Sequence, residues 1–159
     1  MNKNYTWLSY YDIDEFLELK PNNILIEEFL ENERFKNCQN ITINWIVYSD
    51  NELLKYENKS IVERFTKKSL DIGPNIHIKS TVRGNLSHNY WKYSNTPNSS
   101  LESRIIACSS SGNKTNPIIN FVSPPDFTNA FLRHYTTKTV EEYIQKIKKG
   151  KATYKFILN

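Results

Sequence analysis

Asp12 and Asp14 are the residues whose type and spacing point most directly to chemistry in this chain. Two carboxylates spaced i, i+2 can hold one hard divalent cation, which can in turn bind a diphosphate. They follow residues 5–11, an aromatic-rich apolar run bounded by polar residues, which reads as a buried strand. The acids then fall at the strand's C-terminal end, the edge where ligands bind in open α/β sheets. The same spacing also suits a plain solvated turn, with Asp14 capping a following helix. An EF-hand is excluded, because neither the later oxygen ligands nor the glycine of that loop follows.

The elements that must position these acids fit within one domain, since 159 residues can build one real core and not two comfortable ones. Lys and Arg number 21 against 17 Asp and Glu, a net +4 spread along the chain except for a dense run at residues 146–151. Nucleic-acid binders carry a stronger stripe, so no nucleic-acid partner is expected. The run reads as a solvated helix face that can also meet anionic lipid head groups. Cys38 and Cys108 lie far apart without metal-ligand spacing and read as buried small hydrophobes, with no disulfide framework. No apolar stretch is long enough to span a membrane, and the first residues lack a signal peptide's apolar segment. The expected location is cytoplasmic, with peripheral contact at the inner membrane face.

Along the chain, Pro21 breaks the structure and a helix is expected over about 23–31, followed by a short helical turn near residues 33–36. Residues 41–48 alternate, are rich in β-branched and aromatic side chains, and predict the clearest strand. Residues 60–65 suggest a short helix or turn, and 71–75 a loop. Residues 76–83 alternate again, with Ile76, Ile78, Ser80 and Val82 on one face and His77, Lys79, Thr81 and Arg83 on the other. Short strands are expected at 104–108, 117–122 and 130–135. Thr139 and Glu142 form a capping box that opens a helix with Val140, Tyr143, Ile144 and Ile147 facing inward, and Gly150 ends it.

Five ordered pieces carry a resemblance: Trp7 with Asp12-Ile13-Asp14-Glu15-Phe16; Ile43-Asn44-Trp45 with Tyr48; Val62-Glu63-Arg64-Phe65; His77-Ile78-Lys79-Ser80; and His134-Tyr135 with Lys138, Glu141-Glu142-Tyr143, Lys146 and Gly150. Over nearly its whole length the chain resembles bacterial glycosyltransferases of the family-two type and the related family ninety-two. The resemblance implies an α/β chain with a mixed sheet and flanking helices, part of a GT-A fold. It also implies sugar transfer from a nucleotide-sugar donor to a glycan or lipid-linked acceptor, in building surface polysaccharide or lipopolysaccharide, with Mn2+ or Mg2+ as cofactor. Asp12 and Asp14 match the metal motif, and His134 matches the position of a third ligand. A metal spanning two phosphates neutralises the charge that develops on a leaving nucleoside diphosphate.

Lys79, Arg83 and Lys138 are candidates for supplementing the metal at the phosphates, or are ordinary solvated charges. Trp45 can stack a sugar ring or sit in the core, and Asn44 beside it can bond sugar hydroxyls. Glu63 is the candidate base for the acceptor hydroxyl, with Asp50 and Glu52 next; a Glu followed by Arg is equally a structural ion pair. His77 and His88 read as structural or surface residues.

Only eleven residues precede Asp12, where the family pattern has a nucleotide-binding βαβ half. The chain is therefore expected to be the C-terminal part of such an enzyme, with an N-terminal partner chain or self-association. The alternative, in another functional class, is a non-catalytic carbohydrate-binding or assembly subunit using Trp45, Trp91 and the tyrosines as platforms.

Overall fold

Alternation is strongest at residues 40–47, and there the chain makes its longest strand, β3 (Asn40–Val47). The structure, a computed structural model, describes residues 5–69, 71, 73–84, 105–116, 120–136 and 138–149. The other strands are β1 (Trp7–Ser9), β2 (Glu15–Leu19), β4 (Ile78–Arg83), β5 (Ala107–Cys108), β6 (Lys114–Thr115) and β7 (Ala130–His134). The helices are α1 (Ile26–Leu30), α2 (Ile61–Arg64) and α3 (Val140–Lys149). The class is α/β with a mixed seven-stranded sheet, in the order β1-β4-β3-β5-β6, with β7 pairing both β3 and β2. β3 and β5 run parallel, whereas β1–β4, β3–β4, β2–β7 and β5–β6 are antiparallel. The chain divides into two compact units, Met1–Ile46 with Leu70–His134, and Val47–Ser69 with Tyr135–Asn159.

The first unit is built on side-chain alternation. Ile41 and Ile43 of β3 join Ala130 and Leu132 of β7, and Leu17 and Leu19 of β2 pack against them. Helix α1 and the 3-10 turn Glu33–Phe35 add Phe29 and Phe35, whose rings meet edge-on at 5.1 Å. Each such buried phenyl ring stabilises the fold by roughly 1.5–3 kcal/mol. β1 docks closely on the end of β4: the Gly84 N–H donates to Thr6 O at 3.0 Å, and a Cβ on Gly84 would come within 1.9 Å of Tyr5 O.

Three expectations are corrected here. The first strand stops at Ser9, because the chain folds into a turn closed from both sides: Glu15 N–H donates to Asp12 O at 3.0 Å, and Asp12 N–H to Glu15 Oε2 at 2.9 Å. The element after the acids is a strand, so Asp14 caps no helix, and because β1 pairs antiparallel with β4 and β2 antiparallel with β7, the parallel-sheet edge argument does not apply. Cys38 and Cys108 are not separate buried thiols but a disulfide, and their separation of 70 residues hid the pairing that β5 creates by lying beside β3.

In the second unit, the Ser60 and Glu63 capping box starts α2, and the Thr139 and Glu142 box starts α3 as expected. Arg64 is buried and forks onto Glu142, Nη1 to Oε2 at 2.7 Å and Nη2 to Oε1 at 3.1 Å. Tyr135 is fully buried against Tyr48 and Phe65. A further correction concerns α3: its apolar stripe does not pack inward, since Val140 is 45%, Tyr143 59%, Ile144 46% and Ile147 62% exposed. Helical period tells which residues share a face, not what covers that face. Gly150, His88 and Trp91 lie outside the described residues.

Candidate functional site

Pairing of β2 with β7 sets Leu19 opposite Ala130, Leu17 opposite Leu132, and Glu15 opposite His134. In a strand these positions share a face, so the apolar strip of the core ends in a carboxylate facing an imidazole. Glu15 and His134 are 6% and 8% exposed. The turn before β2 adds Asp12 and Asp14, and β4 adds Lys79, itself only 6% exposed.

These five side chains converge. Lys79 Nζ donates to Asp12 Oδ2 at 2.8 Å and lies 3.6 Å from Glu15 Oε2. His134 Nε2 is 3.9 Å from both Asp14 Oδ1 and Glu15 Oε1. Among the described residues, Glu15 Oε1 and His134 Nδ1 are buried without a hydrogen-bond partner, as is Trp45 Nε1 beside them. Burial pushes the Glu15 carboxyl up, against the opposing pull of the Asp12 N–H and Lys79. Burial also lowers the His134 imidazole, outweighing the Asp14 charge that would raise it, so the ring is held towards its neutral form.

The donor chemistry suits a divalent cation. Three carboxylates and one ammonium leave the cluster at −2 when Glu15 is ionised and −1 when it is protonated, with carboxylate oxygens and a neutral imidazole as donors. Yet among the described residues no three His, Cys, Asp or Glu side chains are arranged to hold a metal ion as they stand.

The remaining sequence candidates are distributed differently. The face of β4 that carries His77, Lys79, Thr81 and Arg83 is engaged throughout and does not carry free cations. His77 Nδ1 lies 2.8 Å from Pro74 O, and Thr81 Oγ1 bonds Ser9 Oγ and Tyr11 Oη. Arg83 lies over the Trp7 ring at 3.9 Å and donates to Cys38 O and Phe35 O, which gives it a structural role. Asn44 is likewise structural: its Nδ2 lies within bonding distance of Asn75, Ile76 and Val122 carbonyls, and its Oδ1 accepts from Asp126 N–H. No polar atom of its amide is left for a sugar hydroxyl.

Trp45 has His77 stacked parallel on one ring face at 4.8 Å and His134 edge-on at 4.0 Å, and it packs against the core. That placement suits support of His134 better than a sugar platform. Glu63 lies in the second unit, fully exposed at the surface, with Oε2 accepting from Ser60 N–H and Oγ–H at 2.9 and 2.6 Å. Those bonds hold its carboxyl below the usual range and make it a poorer proton acceptor. Asp50, the next candidate, accepts from Glu52 N–H in a turn. Lys138 also belongs to the second unit, in a depression shared with Glu142, Tyr143 and Lys146.

Glu15 is the member of the cluster that sequence reasoning missed. Its signal was present: Leu17 and Leu19 alternate with it, which places Glu15 on the core face. Compared with known proteins, the chain matches no family model and no curated relative.

Proposed function

We propose that the cluster of Asp12, Asp14, Glu15, Lys79 and His134 is the metal and diphosphate site of a glycosyltransferase, on a sheet that is the acceptor-side portion of a GT-A fold. The donor would be a nucleotide sugar and the acceptor a glycan or lipid-linked glycan. The observation that carries this reading is the meeting of two distant pieces: Asp14, from the turn before β2, lies 3.9 Å from His134 at the end of β7. Both come from the pieces that carry the sequence resemblance.

Asp12, Asp14 and His134 would hold Mn2+ or Mg2+, which when bound supplies positive charge to the leaving diphosphate. The chain's own residues set the conditions. The β2–β7 pairing fixes Glu15 beside His134, burial holds the imidazole towards its neutral, ligating form, and Trp45, itself stacked on His77, packs against that ring. Lys79 supplies a second positive group within the cluster.

Titration calorimetry with MnCl2, then with uridine, guanosine and adenosine diphosphates, tests the reading. Expected is diphosphate binding that requires Mn2+ and is lost in Asp12→Asn and Asp14→Asn. Diphosphate binding that is indifferent to Mn2+ and to both substitutions would refute it, as would folded protein that binds neither ion nor diphosphate.

A further inference from the structure

We propose that α3 is a membrane-docking helix: its apolar stripe enters the headgroup region of an anionic lipid surface, and the lysines beside the stripe pair with the lipid charges. The proposal does not depend on the acidic cluster, which lies in the other compact unit.

What holds α3 to its own unit is the polar side of its first turn. Glu142 takes the fork of Arg64, and Glu141 Oε2 accepts from Tyr56 N–H at 2.9 Å. The N–H groups of Val140 and Glu141 donate to Leu53 O and Leu54 O at 3.2 and 3.1 Å. From Tyr143 to Lys149 every residue is exposed. At about 3.6 residues per turn, Val140, Tyr143, Ile144 and Ile147 share a sector about 100° wide, and Glu141 and Glu142 project outside it. The bonds that mount the helix therefore leave its apolar side turned outward.

Charge identifies what covers that side. No Asp or Glu follows Glu142 in the chain, whereas Lys146 and Lys148 flank the stripe on opposite sides and Lys149 ends the helix. The unit that carries α3, residues 47–69 and 135–159, holds eleven Lys and Arg against six Asp and Glu. Its net charge is thus +5 in a chain of +4, and the other unit is at −1. Pairing this face with a second copy of itself would bring two such units together, like charge on like. An anionic bilayer meets them with opposite charge, and each lysine near such a surface tightens binding about fivefold. Tyr143, at the edge of the stripe, suits the boundary, with an apolar ring and a wet hydroxyl. Four apolar side chains on a ten-residue helix anchor weakly by themselves, which makes the lipid charge a requirement.

Flotation of the full chain with vesicles tests the proposal, using phosphatidylcholine alone and an equal mixture of phosphatidylcholine and phosphatidylglycerol. Wild type should bind the mixed vesicles, bind them less as NaCl is raised, and not bind phosphatidylcholine alone. Lys146→Gln with Lys148→Gln should weaken binding by about twentyfold, and Ile144→Gln with Ile147→Gln should abolish it. Both pairs replace exposed side chains, so their melting temperatures should match that of wild type; a marked fall for the isoleucine pair would show a packed stripe and overturn the proposal. A fluorophore on Ile147→Cys, with Cys38 and Cys108 paired to each other, should be shielded from a water-soluble quencher by mixed vesicles only. Wild type that binds neither vesicle, or both alike, refutes the proposal, as do variants that bind as wild type does. If sedimentation shows a wild-type dimer that Ile144→Gln with Ile147→Gln splits, the face belongs to a second copy and the proposal fails.

Discussion

Replacing both cysteines, Cys38→Ala with Cys108→Ala, removes a crosslink that closes a loop of 70 residues within one compact unit. The chain-entropy account of a crosslink of that span gives about 4.4 kcal/mol of stabilisation at 25 °C. Both residues are nearly fully buried, at 3% and 2% exposure, so truncation to Ala adds roughly 1 kcal/mol of lost packing. The expected loss is about 5 kcal/mol, which is a large part of the roughly 5–15 kcal/mol that holds a typical domain together. Urea unfolding of the oxidised wild type, the wild type with dithiothreitol and the double Ala variant would measure it. The reduced protein and the variant should fall together, well below the oxidised form. Two titratable thiols in unfolded, unreduced protein, or a loss below about 1 kcal/mol, would refute the bond or its mechanical role.

Three further outcomes follow from the geometry. Asp14→Asn removes the charge that raises the His134 imidazole against its burial, so the ring should titrate at still lower pH when followed by NMR; an unchanged midpoint would mean that the carboxylate does not act on the ring. Hydrogen bonds from Arg64, with others from Thr139, hold the Glu142 carboxyl at about 2, below its ordinary 4.5. The folded value is the lower one, so the stability it contributes is full above pH 4.5 and is lost as pH falls towards 2. Glu142→Gln should flatten that part of the stability profile and cost about 3 kcal/mol at neutral pH by leaving Arg64 buried without its partner, and an unaltered profile would sink the assignment. Asn44→Ala removes the amide that donates towards the Val122 carbonyl and its neighbours and accepts from Asp126 N–H, so denaturant unfolding should show a loss of about 3 kcal/mol; a loss under about 1 kcal/mol would show that the amide is not needed.

How far the sequence could be read depended on the kind of signal. Alternation placed β3 and β4 within two residues and separated the two faces of β4, because a strand's period follows from its backbone. The capping box at Thr139 located the start of α3 for an equally local reason. What failed were local inferences about what covers a face. Arg83 and Asn44 looked available for ligands until β1 and the 120–126 segment were seen to meet them. The α3 stripe looked like an inward face because nothing local says whether another element covers it. Glu15 lay within reach of sequence reasoning, since it shares a face with Leu17 and Leu19, but a charged residue at the start of a strand is taken as solvated unless a partner from elsewhere in the chain is known.

The cross-strand register Glu15 to His134 has a consequence for how this chain can vary. Strand side chains swap faces with each step, so a one-residue insertion inside β2 or β7 would bring Asp14 or Phe16 opposite His134 and turn Leu17 and Leu19 away from the core. The turn around Pro21 lies outside those paired positions, so a change in its length leaves that register in place. Deletion scanning should therefore find two short rigid windows, 15–19 and 130–134, set in more permissive sequence. In this protein the site is inherited as a count of residues along paired strands, and drift that preserves composition but not that count would erase it.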